Sequence, residues 1–344
     1  GARVIKLERP EGDFARGYDH NVNGMGSYFV WLNRGKESVC INLKTEADKA
    51  LLERLLVKAD VFIQNLKPGV MAKMGFASAR LREDYPRLIT CDISGYGEGN
   101  DYSEMKAYDM LVQAESGLCS ITGSAEQPGR IGVSACDVTC GMFAYMGIME
   151  ALYAREKTGQ GMAVATSLFE GMADWMAVPL MIYEYGGKVM QRSGLSHPII
   201  QPYGAFATRG GPAVMIAIQN QREYADLCIK VLQQPDLKDD PRFVDNQQRV
   251  ANTEAMREAV EAVFCSLERA ELLDRLRTAG IAYGEVNSVE QLSTHPALRR
   301  MEVQTGVGLI SLTAPAIRRN GITPKTGPVP EFAEHDAAIR AEFS

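Results

Sequence analysis

The carboxylate of Asp137 is the side chain of this sequence best placed to do chemistry. It follows a loop rich in Gly and Ser and stands directly before Val138 to Glu156, a run whose apolar residues recur at helical spacing. A carboxylate delivered to the start of a helix can act as a nucleophile toward an activated carbonyl. Asp is also a preferred helix N-cap, and capping is the commoner role at such a position. The pattern alone leaves both roles open.

Basic side chains gather in the segments that follow the predicted strands. These segments include ERPEGD after the first strand, NLK after the second and NLKPGVMAKMG after the third. Ligands of open α/β sheets bind at the carboxyl ends of strands, and several converging cations can hold phosphates. For any single Lys, a solvated surface charge is the commoner interpretation. The cations concerned are Arg9, Lys44, Lys67, Lys73 and Lys106.

From Gly1 to about Asp92, the chain alternates short strands rich in β-branched residues with amphipathic helical runs. The strands are RVIKLE, SVCINL, DVFIQNL and RLITCDIS, and the helical runs include Thr45 to Lys58 and Ala77 to Asp84. Such alternation predicts an α/β fold in which helices cover a parallel sheet. The glycines of GYGEGN lack the spacing of a dinucleotide loop, so a nicotinamide or flavin enzyme is poorly supported.

The rest of the chain is predicted to form apolar helices and then a smaller domain. Val138 to Glu156 and Leu168 to Tyr185 are apolar on most faces, as core or interface helices are. A connector with Pro and Gly leads to a hairpin at Gly210-Gly211, followed by helices and the strand AYGEVN. We expect a large domain over residues 1–200, a small α+β domain over 201–310, and a C-terminal segment, 311–344, that returns to the large domain.

Composition and motif content argue against several classes of function. The chain of 344 residues has a net charge of −6, which gives no reason to expect nucleic acid or an acidic membrane as a partner. We find no apolar run of about 18 residues, the length that a membrane span needs. Seven scattered cysteines and four separated histidines form no metal or disulfide pattern, and a catalytic cysteine is the less common alternative to buried, inert thiols. These features predict a cytoplasmic protein without a metal centre.

Eight ordered stretches of the sequence resemble the class III CoA-transferases, the family of the formyl-CoA and carnitine CoA-transferases. They are GARVIKLERPEGDFAR, SYFVWLNRGKESVCINLKT, ADVFIQNLKPG, KMGF, PRLITCDISGYGEG, KAYDMLVQAESGL, SACDVTCGM and REKTGQG. The resemblance implies a Rossmann-like large domain and two ring-like subunits that interlock as a homodimer. The family's first strand and helix do not appear before Gly1, so we expect the N-terminus of this sequence to be incomplete.

The resemblance also implies roles for individual residues. Asp137 falls on the nucleophile of the family's G-x-x-x-x-D-x-x-x-G-M turn, where it can cap the helix as well. It would attack the thioester of a donor acyl-CoA, giving a mixed anhydride and then an aspartyl-CoA thioester, without a metal or redox cofactor. Coenzyme A enters only as part of the substrate. Its implied contacts are Arg9, Ile41, Lys44, Asn65, Leu66, Lys73, Met74 and Lys106.

The acceptor implied by the resemblance is a short dicarboxylic acid. The stretch GDFARGYDHNVNGMGSYFVWLNR resembles the branch that uses itaconate, citramalate or mesaconate with succinyl-CoA as donor. The far carboxylate of such an acid needs a cationic partner. Arg16, His20 and Arg192 are candidates by residue type, with Arg16 favoured, and Tyr108 is assigned to the same substrate pocket.

Two alternatives remain open at this point. The α-methylacyl-CoA racemases share the implied fold, but Tyr108 stands before Asp109 where racemases carry the His of a two-base pair. A CoA-binding protein that has lost catalysis is the other alternative, and retention of Asp137 argues against it.

Overall fold

The computed structural model describes residues 1–344 and divides them into two compact units. The first unit contains Gly1–Ile93, Ala144–Ala165 and Leu292–Ser344, and the second contains Ser94–Phe143 and Thr166–Gln291. Each unit is therefore assembled from segments that are distant in sequence. The domain boundaries expected at residues 200 and 310 stay a prediction.

Ten short strands form the sheets of the protein. In chain order they are β1 (Ile5–Glu8), β2 (Glu37–Cys40), β3 (Val61–Gln64), β4 (Ile89–Ser94), β5 (Ala163–Ser167), β6 (Tyr203–Thr208), β7 (Gly211–Ala217), β8 (Ala282–Glu285), β9 (Arg300–Thr305) and β10 (Gly308–Thr313). They pair as β1-β2, β3-β4-β5, β6-β7-β8 and β9-β10.

Fifteen α-helices connect or cover these strands. They are α1 (Ser27–Asn33), α2 (Glu46–Lys58), α3 (Val70–Lys73), α4 (Ser78–Asp84), α5 (Asp109–Glu115), α6 (Leu118–Ile121), α7 (Ala135–Thr158), α8 (Leu168–Trp175), α9 (Ala177–Gly186), α10 (Gln221–Asp226), α11 (Asn246–Ala251), α12 (Thr253–Phe264), α13 (Arg269–Ala279), α14 (Val289–Ser293) and α15 (Asp336–Glu342). Short 3₁₀ turns at Phe14–Arg16 and Pro235–Lys238 and a π-helical turn at Leu227–Val231 complete the set.

The first unit contains the parallel strand pairs that the sequence predicts. β1 and β2 run parallel, with Ile5 opposite Glu37 and Glu8 opposite Cys40. β3 and β4 also run parallel, with Val61 opposite Ile89. The chain is therefore a mixed α/β protein with parallel strands, as expected from the alternation of strands and helices.

The last helix of the chain, α15, completes the core beside β2. Ile339 and Phe343 are buried in one cluster with Val39 and Leu51. The guanidinium of Arg340 donates to the carboxylate of Asp48 at 2.8 Å and to the carbonyl oxygen of Cys40 at 2.7 Å. Residues at the two ends of the chain thus share one hydrophobic core within the first unit.

The second unit contains the antiparallel sheet β6-β7-β8. β6 and β7 form the hairpin predicted at Gly210, whose φ of +66° is a conformation that glycine adopts at little cost. Helices α10, α12 and α13 pack their apolar faces on this sheet in one large cluster, which includes Phe206, Tyr224 and Phe264. The α+β character expected for this part of the chain is thus present.

The apolar run predicted as one helix from Leu168 to Tyr185 is two helices, α8 and α9. The break falls at Met176, which has φ −84° and ψ 3°. Pro179 lies in the first turn of α9, where it lacks the N–H that a continuous helix would need, and its ring would clash with the carbonyl four residues earlier. The proline therefore explains the break.

Helix α7 is both long and apolar. By length and composition alone it could cross a membrane, which corrects the expectation that no stretch reaches that threshold. A core helix of a soluble protein meets the same criteria, so the finding is weak evidence for a membrane span.

Candidate active site

Asp137 lies in the first turn of α7 and is not its N-cap. The helix begins at Ala135, and the N–H of Val138 already donates to the carbonyl oxygen of Ser134 at 3.0 Å. The prediction that Asp137 is the N-cap is therefore wrong, because Asp137 is the third residue of the helix. A carboxylate in the first turn still lies in the positive end of the helix dipole, which stabilises its anionic form.

The carboxylate that caps α7 comes from another helix. Asp109 is the first residue of α5, and its Oδ1 accepts the backbone N–H of Cys136 at 2.7 Å and that of Asp137 at 3.3 Å. The first four N–H groups of an α-helix have no partner within the helix. Because Asp109 satisfies two of them, α7 can begin before Asp137, and the backbone of Asp137 is held directly.

Gln113, one turn further along α5, ties the preceding loop to the same cap. Its side chain is fully buried, and its Nε2 donates to Oδ2 of Asp109 at 2.7 Å and to the carbonyl oxygen of Val133 at 3.3 Å. Its Oε1 accepts the N–H of Ile131 at 2.9 Å. Both ends of the buried amide are therefore satisfied, and the loop that leads into α7 is fixed to α5.

Apolar packing supports the start of α7 on one side. Val112, Cys136 and Met172 are completely buried in one cluster. Gly171 of α8 faces α7 so closely that an added Cβ would lie 3.2 Å from Cδ2 of Phe143. The first turns of α7 are thus held by a dense core on one side and by Asp109 and Gln113 on the other.

The electrostatic surroundings make the Asp137 carboxyl more basic than usual. Desolvation by the packed protein around the group, and secondarily the negative charge of Asp109, raise the pKa of Asp137 above its ordinary value. The residue itself remains exposed to solvent. A carboxylate that is both accessible and more basic has the properties of a nucleophile for acyl transfer.

The neighbouring thiols are poor candidates for catalysis. Cys136 and Cys140 are buried, and burial together with the charge of Asp109 raises the pKa of Cys136 to about 12. Burial also raises the pKa of the Cys140 thiol. Because the thiolate is the reactive form, neither cysteine has the environment of a nucleophile.

The residues implied as CoA contacts lie mainly in the first unit. Arg9 follows β1, Ile41 and Lys44 follow β2, and Asn65 and Leu66 follow β3, so each group stands at the carboxyl end of a strand. Arg9, Lys44, Asn65 and Leu66 are exposed, whereas Ile41 is buried in the core. The sequence-based expectation that these segments follow strand ends is confirmed.

The remaining implied CoA contacts are on short helical or loop segments. Lys73 is exposed in the last turn of α3, and Met74 follows it and packs partly against the core. Lys106 belongs to the second unit, where it lines an open hollow of about 390 Å³ with Tyr96, Met105 and Leu111. Glu115 lines the same hollow, so its wall carries one cationic and one anionic side chain among apolar neighbours.

Two of the cations expected to clamp a dicarboxylate are engaged within the protein. Arg16 donates from Nε and Nη2 to both oxygens of buried Glu8, at 2.9 and 2.7 Å, and stacks 3.7 Å from the ring centre of Phe29. Arg192 donates to the backbone carbonyl oxygens of residues 120, 124 and 125. Their predicted role in the acceptor pocket stays a prediction, and these contacts argue against it.

The other two residues of the expected acceptor pocket are exposed. Nδ1 of His20 lies 3.2 Å from the carbonyl oxygen of Gly24. Tyr108 precedes Asp109 at the start of α5 and is 68% exposed. Tyr108 therefore stands next to the residue that caps α7, whereas no histidine is found there to supply the second base of a racemase. No group of three or more His, Cys, Asp or Glu side chains is arranged to hold a metal ion.

Comparison with known proteins places this chain in a family. Residues 1–331 match the model of CoA-transferase family III. The chain belongs to CoA-transferase family III. The transferase is 37% identical to the acetyl-CoA:oxalate CoA-transferase of Acetobacter aceti, with all of this chain and 89% of the relative covered. It is 33% identical to the succinyl-CoA:glutarate CoA-transferase of Mus musculus, with 99% and 80% covered.

Two further comparisons extend the picture. The transferase is 29% identical to the succinyl-CoA:mesaconate CoA-transferase of Haloarcula hispanica, with 99% of this chain and 89% of the relative covered. Its fold matches the crystal structure of a CAIB/BAIF family protein from Brucella suis with a TM-score of 0.82, 33% identity, and 100% and 92% of the two chains covered. Membership of the family predicted from the eight sequence motifs is thus confirmed, and the transferase is a CoA-transferase that uses CoA thioesters as substrates.

Sequence reasoning missed Asp109 and Gln113. The signal was present, because Asp109 follows Lys106 in the KAYD stretch and Gln113 interrupts an otherwise apolar helical run. A polar residue on the buried face of a helix needs a hydrogen-bond partner. Besides Asp109 on the same helix, the partners of Gln113 are the backbone groups of Ile131 and Val133, 18 and 20 residues away, and the sequence could not name these.

Proposed function

We propose that the transferase moves CoA from an acyl-CoA donor to a short dicarboxylic acid through Asp137. The observation that carries this proposal is the Asp137 carboxylate itself, exposed in the first turn of α7 with its pKa raised by its surroundings. The names of the relatives support the acceptor class, because oxalate, glutarate and mesaconate are all dicarboxylates. Within this class we propose mesaconate, itaconate or citramalate as acceptors, with succinyl-CoA as donor.

The proposed chemistry needs only the carboxylate and the two substrates. An oxygen of Asp137 attacks the thioester carbonyl and the C–S bond breaks. CoA leaves as a thiolate, and the donor acyl group and Asp137 are joined in a mixed anhydride. The thiolate attacks the aspartyl carbonyl, releasing the donor acid and leaving an aspartyl-CoA thioester. The acceptor carboxylate attacks that thioester, which forms a second mixed anhydride and expels the thiolate. The thiolate then attacks the acceptor carbonyl of this anhydride and gives the new acyl-CoA. Asp137 is returned as a free carboxylate.

The proposed CoA site uses the residues at the strand ends. In the first unit, Arg9, Lys44 and Lys73 are the proposed contacts to the phosphate groups of CoA, and Ile41, Asn65, Leu66 and Met74 are the proposed contacts to the rest of that molecule. In the second unit, the proposed contact is Lys106. The exposure of the four cations supports this proposal, since a dianionic phosphate can reach them without displacing a buried partner.

The proposed function is tested by trapping the enzyme-bound intermediate. Intact-protein mass spectrometry after incubation with succinyl-CoA, and separately with acetyl-CoA, is expected to show an adduct that disappears when a suitable acid is added. Mesaconate, itaconate, citramalate, glutarate and oxalate are then compared as acceptors, with propionate as the monocarboxylate control. Absence of any adduct, or transfer to propionate as fast as to every dicarboxylate, would contradict the proposal.

We also propose that the transferase is an interlocked homodimer. Large apolar residues are exposed along one stripe of α7, namely Met142, Tyr145, Met146, Met149 and Tyr153, and along α9, namely Val178, Met181 and Tyr185. Exposed apolar surface of this extent is typical of a protein interface. A second copy of the chain that covers these stripes is the occupant that the family resemblance implies.

Interlocking predicts that subunits cannot exchange without unfolding. Light scattering is expected to give twice the mass of one chain. Tagged and untagged dimers mixed in native buffer for a day are expected to form no mixed dimer, whereas unfolding in urea and refolding together produces them. A monomeric mass would overturn the dimer, and fast exchange in native buffer would overturn the interlocking alone.

A further inference from the structure

The N-terminus of α7 is held by a side-chain relay that the proposed chemistry does not itself use. The relay consists of Asp109 and Gln113 on α5 and the backbone groups of residues 131, 133, 136 and 137. Every one of these contacts lies within the second unit. The backbone N–H of Asp137 is one of the groups held, so the relay acts on the proposed nucleophile directly.

The geometry points to Asp109 as a positioning residue for the Asp137 carboxylate. We propose that Asp109, oriented by Gln113, fixes the first turn of α7 so that the Asp137 carboxylate is presented to the thioester. This inference rests on the proposed function, because it assigns Asp109 to the same site.

The hydrogen bonds explain why both residues are needed. Oδ1 of Asp109 is committed to α7, and its Oδ2 is committed to Gln113 at 2.7 Å. A carboxylate accepts at both oxygens, so Asp109 can accept from the N–H of Cys136 and from the amide of Gln113 together. An Asn at this position must direct its NH₂ group at one of these two donors, which leaves that donor without an acceptor. Gln113 cannot reverse its amide to compensate, because its Oε1 already accepts the N–H of Ile131 at 2.9 Å. The pair therefore has one consistent orientation.

The carboxylate charge of Asp109 acts on the Asp137 carboxyl. Asp109 raises the pKa of Asp137 in addition to the larger effect of desolvation. Cys136 and Cys140 on α7 itself are also close, but burial raises their thiol pKa values and keeps them neutral. Glu170 of α8 acts on Cys140. Removing the charge of Asp109 should thus lower the pKa of Asp137 and leave the other groups unchanged in charge.

The test compares Asp109→Asn and Asp109→Ala with the intact transferase. The rate of adduct formation with succinyl-CoA is measured from pH 4 to pH 8, together with kcat, KM and the thermal midpoint. We expect kcat to fall roughly tenfold for Asn and roughly a hundredfold for Ala, as when a catalytic group is misplaced by about 1 Å, with KM changed much less. The acid limb of the profile is expected to move to lower pH in both variants.

A second variant separates positioning from the loss of charge. Gln113→Ala keeps the charge of Asp109 but removes the amide that orients it, and it is expected to lower kcat while the acid limb of the profile stays at the pH of the parent. The matched control is Asp236→Asn, an exposed acidic residue in the first turn of another helical segment of the same unit. Titration of succinyl-CoA affects all variants equally, so a difference between their pH–rate profiles reports on the enzyme.

Two outcomes overturn the inference in distinguishable ways. If Asp109→Asn and Asp109→Ala lose only thermal stability, while kcat and the acid limb match those of the parent, Asp109 has a structural role alone. In that case Asp137→Asn, assayed in parallel, still loses activity and the proposed function stands. If Asp137→Asn keeps its activity and adduct, the proposed function fails and the positioning role fails with it.

Discussion

Asp137→Asn is expected to lower the rate of CoA transfer by about 10⁴-fold or more, the range seen when a nucleophile is removed from a covalent mechanism. The amide has nearly the shape of the carboxylate, but it cannot form the anhydride. Because α7 is capped by Asp109 and not by Asp137, the substitution leaves the helix N-terminus in place. The measurement is the steady-state rate together with intact-protein mass spectrometry after addition of succinyl-CoA.

The control for this substitution is again Asp236→Asn, which is expected to keep both the adduct and the rate. A residual rate in Asp137→Asn within about tenfold of the parent, with an adduct still present, would show that another residue is the nucleophile. Binding of the donor provides a second check. Because the amide removes only the reacting charge, the Kd for CoA is expected to stay within about threefold of the parent.

The same substitution has an expected effect on stability with a definite sign. The pKa of Asp137 is raised in the folded state, chiefly by desolvation, so its ionised form opposes folding at neutral pH. That cost disappears as the pH falls through the folded-state pKa. Asp137→Asn is therefore expected to raise the thermal midpoint slightly at pH 7, with the difference from the parent shrinking under acidic conditions.

Arg16→Ala is expected to destabilise the transferase by about 3 kcal/mol, the lower end of the range for removing one partner of a buried ion pair. The Glu8 side chain is 1% exposed and that of Arg16 is 21% exposed, so the variant leaves a buried carboxylate without its main partner. Ser38 still donates to Glu8 at 2.7 Å, which offsets part of the loss. Urea unfolding followed by fluorescence measures the change.

The pH dependence of the Arg16 variant follows from the pKa of Glu8. Burial alone would raise that pKa, but the hydrogen bonds from Arg16 and Ser38 outweigh burial and hold it below its usual value. In the parent, this contribution is present above the unfolded-state pKa and is lost as the pH falls through the folded-state pKa. Without Arg16 burial dominates, so the deficit of the variant is expected to be largest near neutral pH and to narrow in acid.

Two comparisons isolate the buried pair. Arg80→Ala removes an exposed i,i+4 ion pair with Asp84, and it is expected to cost no more than about 0.5 kcal/mol. Glu8→Gln combined with Arg16→Ala removes the unpaired charge and is expected to be more stable than Arg16→Ala alone. If Arg16→Ala unfolds like the parent but loses its preference for dicarboxylates, Arg16 is a substrate clamp and not a structural cation.

The sequence was sufficient for the parts of the fold that depend on local pattern. Alternating strands and helices before Ser94, the hairpin at Gly210 and the long apolar helix α7 follow from periodicity and turn residues. The start of α7 does not, because its position depends on Asp109, which is 26 residues upstream of the helix's first residue. Local propensity favours a cap at Asp137, and a distant carboxylate decides otherwise.

The same limit explains the acceptor pocket. Residue type makes Arg16 and Arg192 reasonable partners for a carboxylate. Whether a guanidinium is free depends on contacts that are remote in sequence, such as the carbonyl oxygen of Pro330 near Arg16 and those of residues 120–125 near Arg192. A sequence read in isolation shows which cations exist but not which of them already have partners.

The packing of α15 against β2 has a consequence for the synthesis of the chain. Val39 and Leu51 leave the ribosome 288 to 304 residues before Ile339 and Phe343, yet all four are buried in one cluster. The cluster cannot close during most of translation, and contacts of such sequence separation form slowly. The nascent first unit therefore exposes an apolar surface for most of its synthesis, and such a surface is prone to aggregation until α15 emerges.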